Sequence, residues 1–259
     1  MTRGFLRRRD AGASEGKATC RARGGADRWT DADDPRVSYR ISARARRITI
    51  KVLNAERRVE VVVPGRGAVA EAQAFARRQR EWIDVQLEKL PAPMPFVPGG
   101  RILVAGEMYA LGNPGGKGRP RADHAGRRLI VPAPDAGSFP GRVRRLLIRE
   151  AREALTEATD LYAEKIGRRV AKVSVRDTAS RWGSSITRGD QTHISYSWRL
   201  ICAPPFVLDY VCAHEVAHIL EPNHSADFWA VVDRIFDRTQ DAERWLKRNG
   251  ARLHAVGKA

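Results

Sequence analysis

The chain has 259 residues, of which 47 are basic and 30 acidic, so its formal net charge is +17 with neutral histidines. Hydrophobic residues make up 42% of the chain, which is enough for a folded core and excludes wholesale disorder. The sequence contains no apolar run near the roughly 20 residues of a membrane-spanning helix. Its three cysteines include no CxxC pair, which excludes a disulfide framework and a cysteine-rich zinc ribbon. We therefore expect a cytoplasmic protein with no secretory signal and no membrane partner.

The excess positive charge has two interpretations. It indicates an anionic partner such as nucleic acid, or it reflects an arginine-rich composition, since 39 of the 47 basic residues are Arg. Residues 36–140 hold 19 basic and 9 acidic side chains, whereas residues 141–259 hold 20 and 15. The charge is thus concentrated in the first of these segments, where nucleic acid is a candidate partner.

The first part of the chain is predicted to hold a tail and a mainly β module. Residues 1–35 have almost no periodic apolar residues, so disorder is expected, and a misassigned start codon would give the same pattern. From Val37 onwards apolar residues alternate as in strands, and a helix is predicted over 68–90. Further short strands are predicted between residues 101 and 131. Residues 36–140 are therefore predicted to form a mainly β module with one helix.

Residues 141–259 are predicted to form a second domain in which helices dominate. The longest predicted helix has one apolar stripe, and Gly167 suits its C-terminal end. Pro222 is expected to break the apolar helix before it, and Gly250 to stop the last one. The predicted elements are helices at 141–166, 206–220, 226–236 and 241–249, and strands at 170–175 and 193–197. The predicted fold class is α+β.

The segment His214-Glu215-Val216-Ala217-His218 has the pattern HExxH within a predicted apolar helix. Residues four apart on an α-helix lie on one face, about one turn apart. This spacing lets two neutral imidazoles bind one tetrahedral Zn²⁺. Glu215 is placed to act on a water as a general base rather than to bind the metal. The alternative, an unliganded set of helix residues, is disfavoured because burying these polar groups unpaired is costly.

A catalytic zinc site needs a third protein ligand, and His224 is the best candidate. It lies ten residues after His214, where a continuous helix would rotate it far from the ligand face. Pro222 ends the helix and lets the chain turn back. The pattern thus predicts one Zn²⁺ per chain, held by three histidines, with the fourth position open to substrate.

Five short motifs follow one another in the second half of the chain. They are Arg181-Trp182-Gly183-Ser184-Ser185, Ser197-Trp198-Arg199-Leu200-Ile201, His214-Glu215-Val216-Ala217-His218, Asn223-His224-Ser225 and Phe228-Trp229. Together they resemble the YgjP-like metallopeptidases, which are similar to the SprT and WLM zinc proteases. The resemblance covers most of residues 37–253 and implies a small zincin-like metallopeptidase domain. By position it implies that His214, His218 and His224 bind zinc and that Glu215 is the catalytic acid/base. The family usually has Cys where this chain has Ser185, so no thiol role is implied there.

The segment Arg181-Trp182-Gly183-Ser184 is a candidate edge of the substrate cleft. In this interpretation Gly183 allows close approach of the backbone. The alternative is a structural turn in which Trp182 anchors the core. Tyr196 and Tyr210 are candidates for polarising a substrate carbonyl.

Three functional hypotheses follow. The first is a zinc-dependent metallopeptidase acting on a protein or peptide. The second is a metal-dependent nucleoside triphosphate pyrophosphatase, an activity also described for YgjP-like proteins, although the sequence has no P-loop. The third is a nucleic-acid-associated, SprT-like protease that grips phosphates through residues 36–140. HExxH matches amide hydrolysis better than nucleotide hydrolysis.

Overall fold

The computed structural model describes residues 27–54, 56–178 and 181–258, and it has the predicted α+β fold class. The strands are β1 (Arg28–Thr30), β2 (Val37–Ile41), β3 (Thr49–Leu53), β4 (Arg58–Val63), β5 (Arg101–Val104), β6 (Glu107–Gly112), β7 (Arg121–Asp123), β8 (Arg128–Ile130), β9 (Lys172–Arg176), β10 (Gly183–Arg188) and β11 (Gln191–Ser197). The helices are α1 (Val69–Arg78), α2 (Arg80–Glu88), α3 (Phe139–Lys165), α4 (Pro205–Ala217), α5 (Ala226–Ile235) and α6 (Thr239–Ala255). None of the helices in these ranges combines the length and apolarity needed to cross a membrane.

Residues 27–52, together with 58–83, form one compact unit around a four-stranded sheet of order β1-β2-β4-β3. Its core holds the alternating apolar residues of the strands and two alanines of α1, namely Val37, Tyr39, Val59, Val61, Val63, Ala72 and Ala76. Strand β1 lies inside the segment predicted as a tail, of which residues 1–26 fall outside the described chain. Two contacts with Tyr39 hold β1 in place: the Tyr39 ring stacks on Trp29 at 5.2 Å, and the Tyr39 hydroxyl donates to Asp31 at 2.6 Å.

Residues 53–57 and 84 onwards form the second unit, which contains the other two sheets. The sheet of order β5-β6-β8-β7 belongs here, although the sequence grouped these strands with the preceding β module. Its buried residues, including Ile102, Leu111 and Leu129, share one core with Leu146 and Leu147 of α3. Alternation of apolar residues identifies a strand but not the core that the strand joins, and only the tertiary packing decides that.

The third sheet has the order β10-β11-β9, so β10 lies at an edge. Strands β10 and β11 are antiparallel, whereas β11 and β9 are parallel. On the inner face Ile194 and Tyr196 are buried, and the Tyr196 hydroxyl is 2.9 Å from the Thr159 hydroxyl of α3. Tyr196 therefore serves the core.

Two predicted helix boundaries differ from the structure. The helix predicted over 68–90 is divided at Gln79 into α1 and α2. The last helix continues through Gly250 to Ala255 instead of stopping. A Cβ at position 250 would lie 3.4 Å from the Trp182 indole, an ordinary contact distance, so α6 packs beside Trp182 at this glycine.

Candidate metal centre and active site

Helix α4 is apolar on almost every side, which explains its burial. Most of its residues are inaccessible, including Val207, Val211, Cys212, Ala213 and Val216. His214 and Glu215 lie in its last turn, and His218 caps it with helical dihedral angles. The two histidines are therefore one turn apart, as the spacing predicts, and their ring centroids lie 5.1 Å apart.

The chain brings His224 back to this helix end through a short turn. In this turn Glu221 donates its backbone N–H to the carbonyl of Ala217 at 3.0 Å. After Pro222, Ser225 caps α5, and its hydroxyl accepts the N–H of Phe228 at 3.3 Å. His224 stands just before this cap, so the start of α5 fixes its position.

The three histidines form one cluster. One ligand nitrogen from each of His214, His218 and His224 lies within 4.8 Å of the others, and the Nε2 atoms of His214 and His224 are 3.1 Å apart. Two imidazole nitrogens on one tetrahedral zinc, each about 2.0–2.1 Å from the ion, stand about 3.3 Å apart. The Nδ1 atom of His218 lies 3.0 Å from the carbonyl oxygen of Glu221, which leaves its Nε2 for the cluster.

Burial keeps two of these imidazoles, those of His214 and His218, in the neutral form that binds a metal. Burial, with a smaller contribution from the two neighbouring histidines, lowers the pKa of His214 to about 4. Burial also lowers the pKa of His218. The Nδ1 atom of His214 is buried without a hydrogen-bond partner in the described structure. Three imidazole nitrogens within 4.8 Å of one another therefore fit a metal ion.

Aromatic rings surround the cluster. The Phe228 ring lies 4.9, 4.6 and 4.8 Å from the rings of His214, His218 and His224. The Trp229 ring stacks on His224 at 6.0 Å. These rings restrict the rotamers of the ligands and exclude water from one side of the cluster. Trp198, by contrast, is fully buried in the core.

Glu215 lies beside the cluster and is only 6% exposed. Burial raises the pKa of its carboxyl to about 7, and the positive charge of Arg181 opposes that rise. The first residue of β10 is packed directly on this side chain. A Cβ at Gly183 would lie 2.6 Å from Cγ and 2.7 Å from Cδ of Glu215, so only glycine fits there.

A cleft of about 440 Å³ opens between β10, α4 and α6. Its lining includes the groups expected at a reaction centre: Trp182, Gly183, Tyr210, His214, Glu215, Glu243 and Lys247. The Tyr210 hydroxyl donates to Glu243 at 2.9 Å, and its ring lies 5.8 Å from His214. Of the two tyrosines considered from the sequence, only Tyr210 reaches the cleft.

The four residues of the predicted cleft edge are divided by the strand geometry. Trp182 and Gly183 line the cleft, and Arg181 is exposed but acts on Glu215 through its charge. Ser184 lines the opposite face of the sheet instead, because successive strand residues point to opposite sides.

Sequence reasoning missed the partner of Trp182. His254 stacks on this indole with ring centroids 4.6 Å apart and planes 20° apart, and a Cβ at Gly250 of α6 would lie 3.4 Å from the same indole. His254 and Gly250 lie four residues apart on α6, which places them on one face. That spacing was visible in the sequence, but nothing there connected it to Trp182.

Comparison with known proteins gives one match. The family model described as YgjP-like, metallopeptidase domain, matches residues 46–249. No curated protein and no solved structure matches the chain.

Proposed function

Because the chain belongs to the YgjP-like metallopeptidase family, we propose that it is a zinc-dependent peptidase that uses Glu215 as its general base. The observation that carries the proposal is the cluster of three imidazoles beside a buried carboxyl group. His214, His218 and His224 would hold the metal. When bound, zinc supplies Lewis-acid chemistry, polarising the scissile carbonyl and activating water at neutral pH.

Glu215 handles the proton in this proposal. Its carboxylate accepts a proton from the attacking water and returns it to the leaving amine, so it acts first as base and then as acid. The van der Waals contact with Gly183 fixes the carboxyl relative to β10. Arg181 favours the ionised form that starts the reaction.

The edge of β10 offers the natural place for an extended substrate. In the described chain β10 pairs only with β11, so the backbone groups on its other side are available. An extended peptide binds such an edge through backbone hydrogen bonds. Gly183, at the start of this edge, touches Glu215, so a peptide paired here would pass beside the general base.

Metal content and turnover together test the proposal. Zinc bound per chain should fall sharply in His224→Ala and stay near one in His124→Ala, a control at an exposed histidine outside the cluster. Glu215→Gln should keep zinc and lose peptide cleavage. Full peptidase activity in Glu215→Gln would overturn the role proposed for Glu215. If the wild type instead releases pyrophosphate from a nucleoside triphosphate and Glu215→Gln does not, the substrate is a nucleotide.

A second candidate function, association with nucleic acid, is favoured by one surface of the first unit. A hollow of about 530 Å³ next to β3 is lined by Arg44, Arg46, Arg47 and Lys51 and by the hydroxyls of Ser42 and Thr49. None of these four cations has an ion-pair partner in the described ranges, whereas neighbouring Arg40 is paired with Glu60 at 2.9 Å. Binding of an oligonucleotide should weaken steeply with salt, and Arg46→Glu should reduce it. Equal binding by Arg46→Glu and wild type would remove this candidate.

A further inference from the structure

The outer face of the sheet β9–β11 forms a hollow that the proposed chemistry does not use. Alternation along β11 turns Ile194 and Tyr196 inward and His193 and Ser195 outward. The hollow has a volume of about 560 Å³. It is lined by Lys172, Ser174, Arg176, Ser184, Ile186, Arg188, Gln191, His193, Ile194 and Ser195.

The strand register explains the shape of this hollow. Ser184 of β10 stands opposite Ser195 of β11, which in turn stands beside Ser174 of β9. Three small hydroxyl residues thus cross the sheet in one row and form its floor. The next row holds Ile186, His193 and Lys172, whose larger side chains form one wall.

The charge on this face has one sign. Lys172, Arg176 and Arg188 are exposed, and none has an ion-pair partner in the part of the chain that the structure describes. Among the described residues, no acidic side chain lines the hollow. Cations and hydroxyls without acidic partners attract an anionic ligand.

The hollow and the cleft lie on opposite faces of the sheet, and β10 contributes residues to both. Gly183 faces Glu215, and the next residue, Ser184, faces the hollow. Along a strand each residue advances about 3.4 Å, so Arg188 lies about 17 Å beyond Gly183. A peptide added to the β10 edge would place every second side chain on the outer face, next to Ser184, Ile186 and Arg188.

We propose that this outer face selects polypeptide substrates that carry an acidic side chain about five residues from the scissile bond, where Arg188 meets it. The inference deepens the proposed peptidase function and rests on it. Ile186, 56% exposed on the same strand, would contact an apolar side chain about three residues from that bond. The other cations of the face add to the attraction.

A polypeptide suits this face better than a single-stranded nucleic acid. Bases bind such surfaces by stacking on aromatic rings, and no Phe, Tyr or Trp lines the hollow in the described structure. The exposed aliphatic Ile186 instead matches an apolar side chain. The edge position of β10 provides the backbone pairing that a polypeptide can use and a nucleic acid cannot.

A set of fluorogenic peptides that differ by a single glutamate or glutamine tests the proposal. The acidic residue is moved one position at a time along both sides of the cleaved bond. We expect kcat/KM to rise about three- to five-fold when glutamate stands about five residues away on one side, as expected for one exposed ion pair. In Arg188→Glu the preference should reverse and favour the glutamine peptide.

Arg152→Glu is the matched control, because it makes the same charge change on the exposed side of α3. It should keep the preference for glutamate. An absent preference, or one that Arg188→Glu leaves unchanged, would overturn the proposal. Binding of the acidic peptide to Glu215→Gln, measured by fluorescence anisotropy, separates the two inferences. If the acidic peptide binds in a way that needs Arg188 but the wild type cleaves no peptide, the peptidase function alone is refuted. If an oligonucleotide displaces the bound peptide at a lower concentration than unlabelled peptide does, the face binds nucleic acid and this proposal is refuted.

Discussion

The contact between Gly183 and Glu215 gives the sharpest test of the site. Gly183→Ala adds a single methyl group without requiring an unusual backbone conformation, since Gly183 is not among the glycines with positive φ. That methyl would lie 2.6 Å from Cγ and 2.7 Å from Cδ of Glu215. Real Cβ contacts are not this short, so either the strand or the carboxylate must move.

The cost can be estimated for both stability and turnover. Inserting a methyl group into a packed site destabilises a protein by about 1–3 kcal/mol. If Glu215 yields, its carboxyl is displaced by about 1 Å, and such misplacement lowers the rate about 100-fold. The three atoms nearest to a Cβ at position 183 all belong to Glu215, so zinc content should be unchanged.

Urea unfolding and peptide cleavage measure these effects. Gly67→Ala is the control, because a Cβ there meets nothing within 4 Å. The double variant Gly183→Ala/Glu215→Ala completes a cycle: with Cγ and Cδ removed, the added methyl should cost less than about 0.5 kcal/mol. Additive stability changes in the cycle, or wild-type turnover in Gly183→Ala, would refute the idea that glycine is needed because of Glu215.

Two further predictions concern the support of Trp182 and its neighbours. Burial lowers the pKa of His254 to about 4 in the folded protein, whereas in the unfolded chain this histidine takes up a proton near pH 6.5. The contribution of His254 to the free energy of unfolding is therefore complete above pH 6.5 and is lost as the pH falls toward 4. Between pH 7.5 and 5 the free energy of unfolding of the metal-free protein, measured with urea, should fall by about 2 kcal/mol less in His254→Phe than in the wild type. The same pH dependence in both proteins would contradict this prediction. Asp177→Ala leaves the buried Arg199 without its carboxylate partner and should cost about 3 kcal/mol, whereas Asp190→Ala, in an exposed turn, should change unfolding by less than about 0.5 kcal/mol; similar losses in both would show that the ion pair does not matter.

The histidine cluster was accessible from the sequence because its determinants are local. The interval between His214 and His218 equals one helical turn, and the flanking apolar residues require a buried helix. The return of His224 also depends on nearby residues, a proline that ends the helix path and a serine that caps α5. Such short-range constraints leave few conformations open to the chain.

Features that depend on distant segments were not accessible. The β5–β8 sheet joins the core of α3, although the sequence grouped it with the preceding strands. Strand β1 lies in a segment without periodic apolar residues and depends on contacts with Tyr39. Gly250 resembles a helix stop, but α6 continues to Ala255, where His254 stacks on the indole of Trp182. In each case the deciding contact joins residues far apart in the sequence.

The distant contacts also connect the last helix to Glu215. Trp182 rests on Gly250 and His254 of α6, and its neighbour Gly183 touches Glu215. These contacts link α6, through Trp182 and Gly183, to the Glu215 carboxyl group. Since both the ring stack and the glycine contact are tight, a shift of α6 would be transmitted to Glu215 rather than absorbed. The family match ends at residue 249, so His254, which completes the seat of Trp182, lies just beyond it.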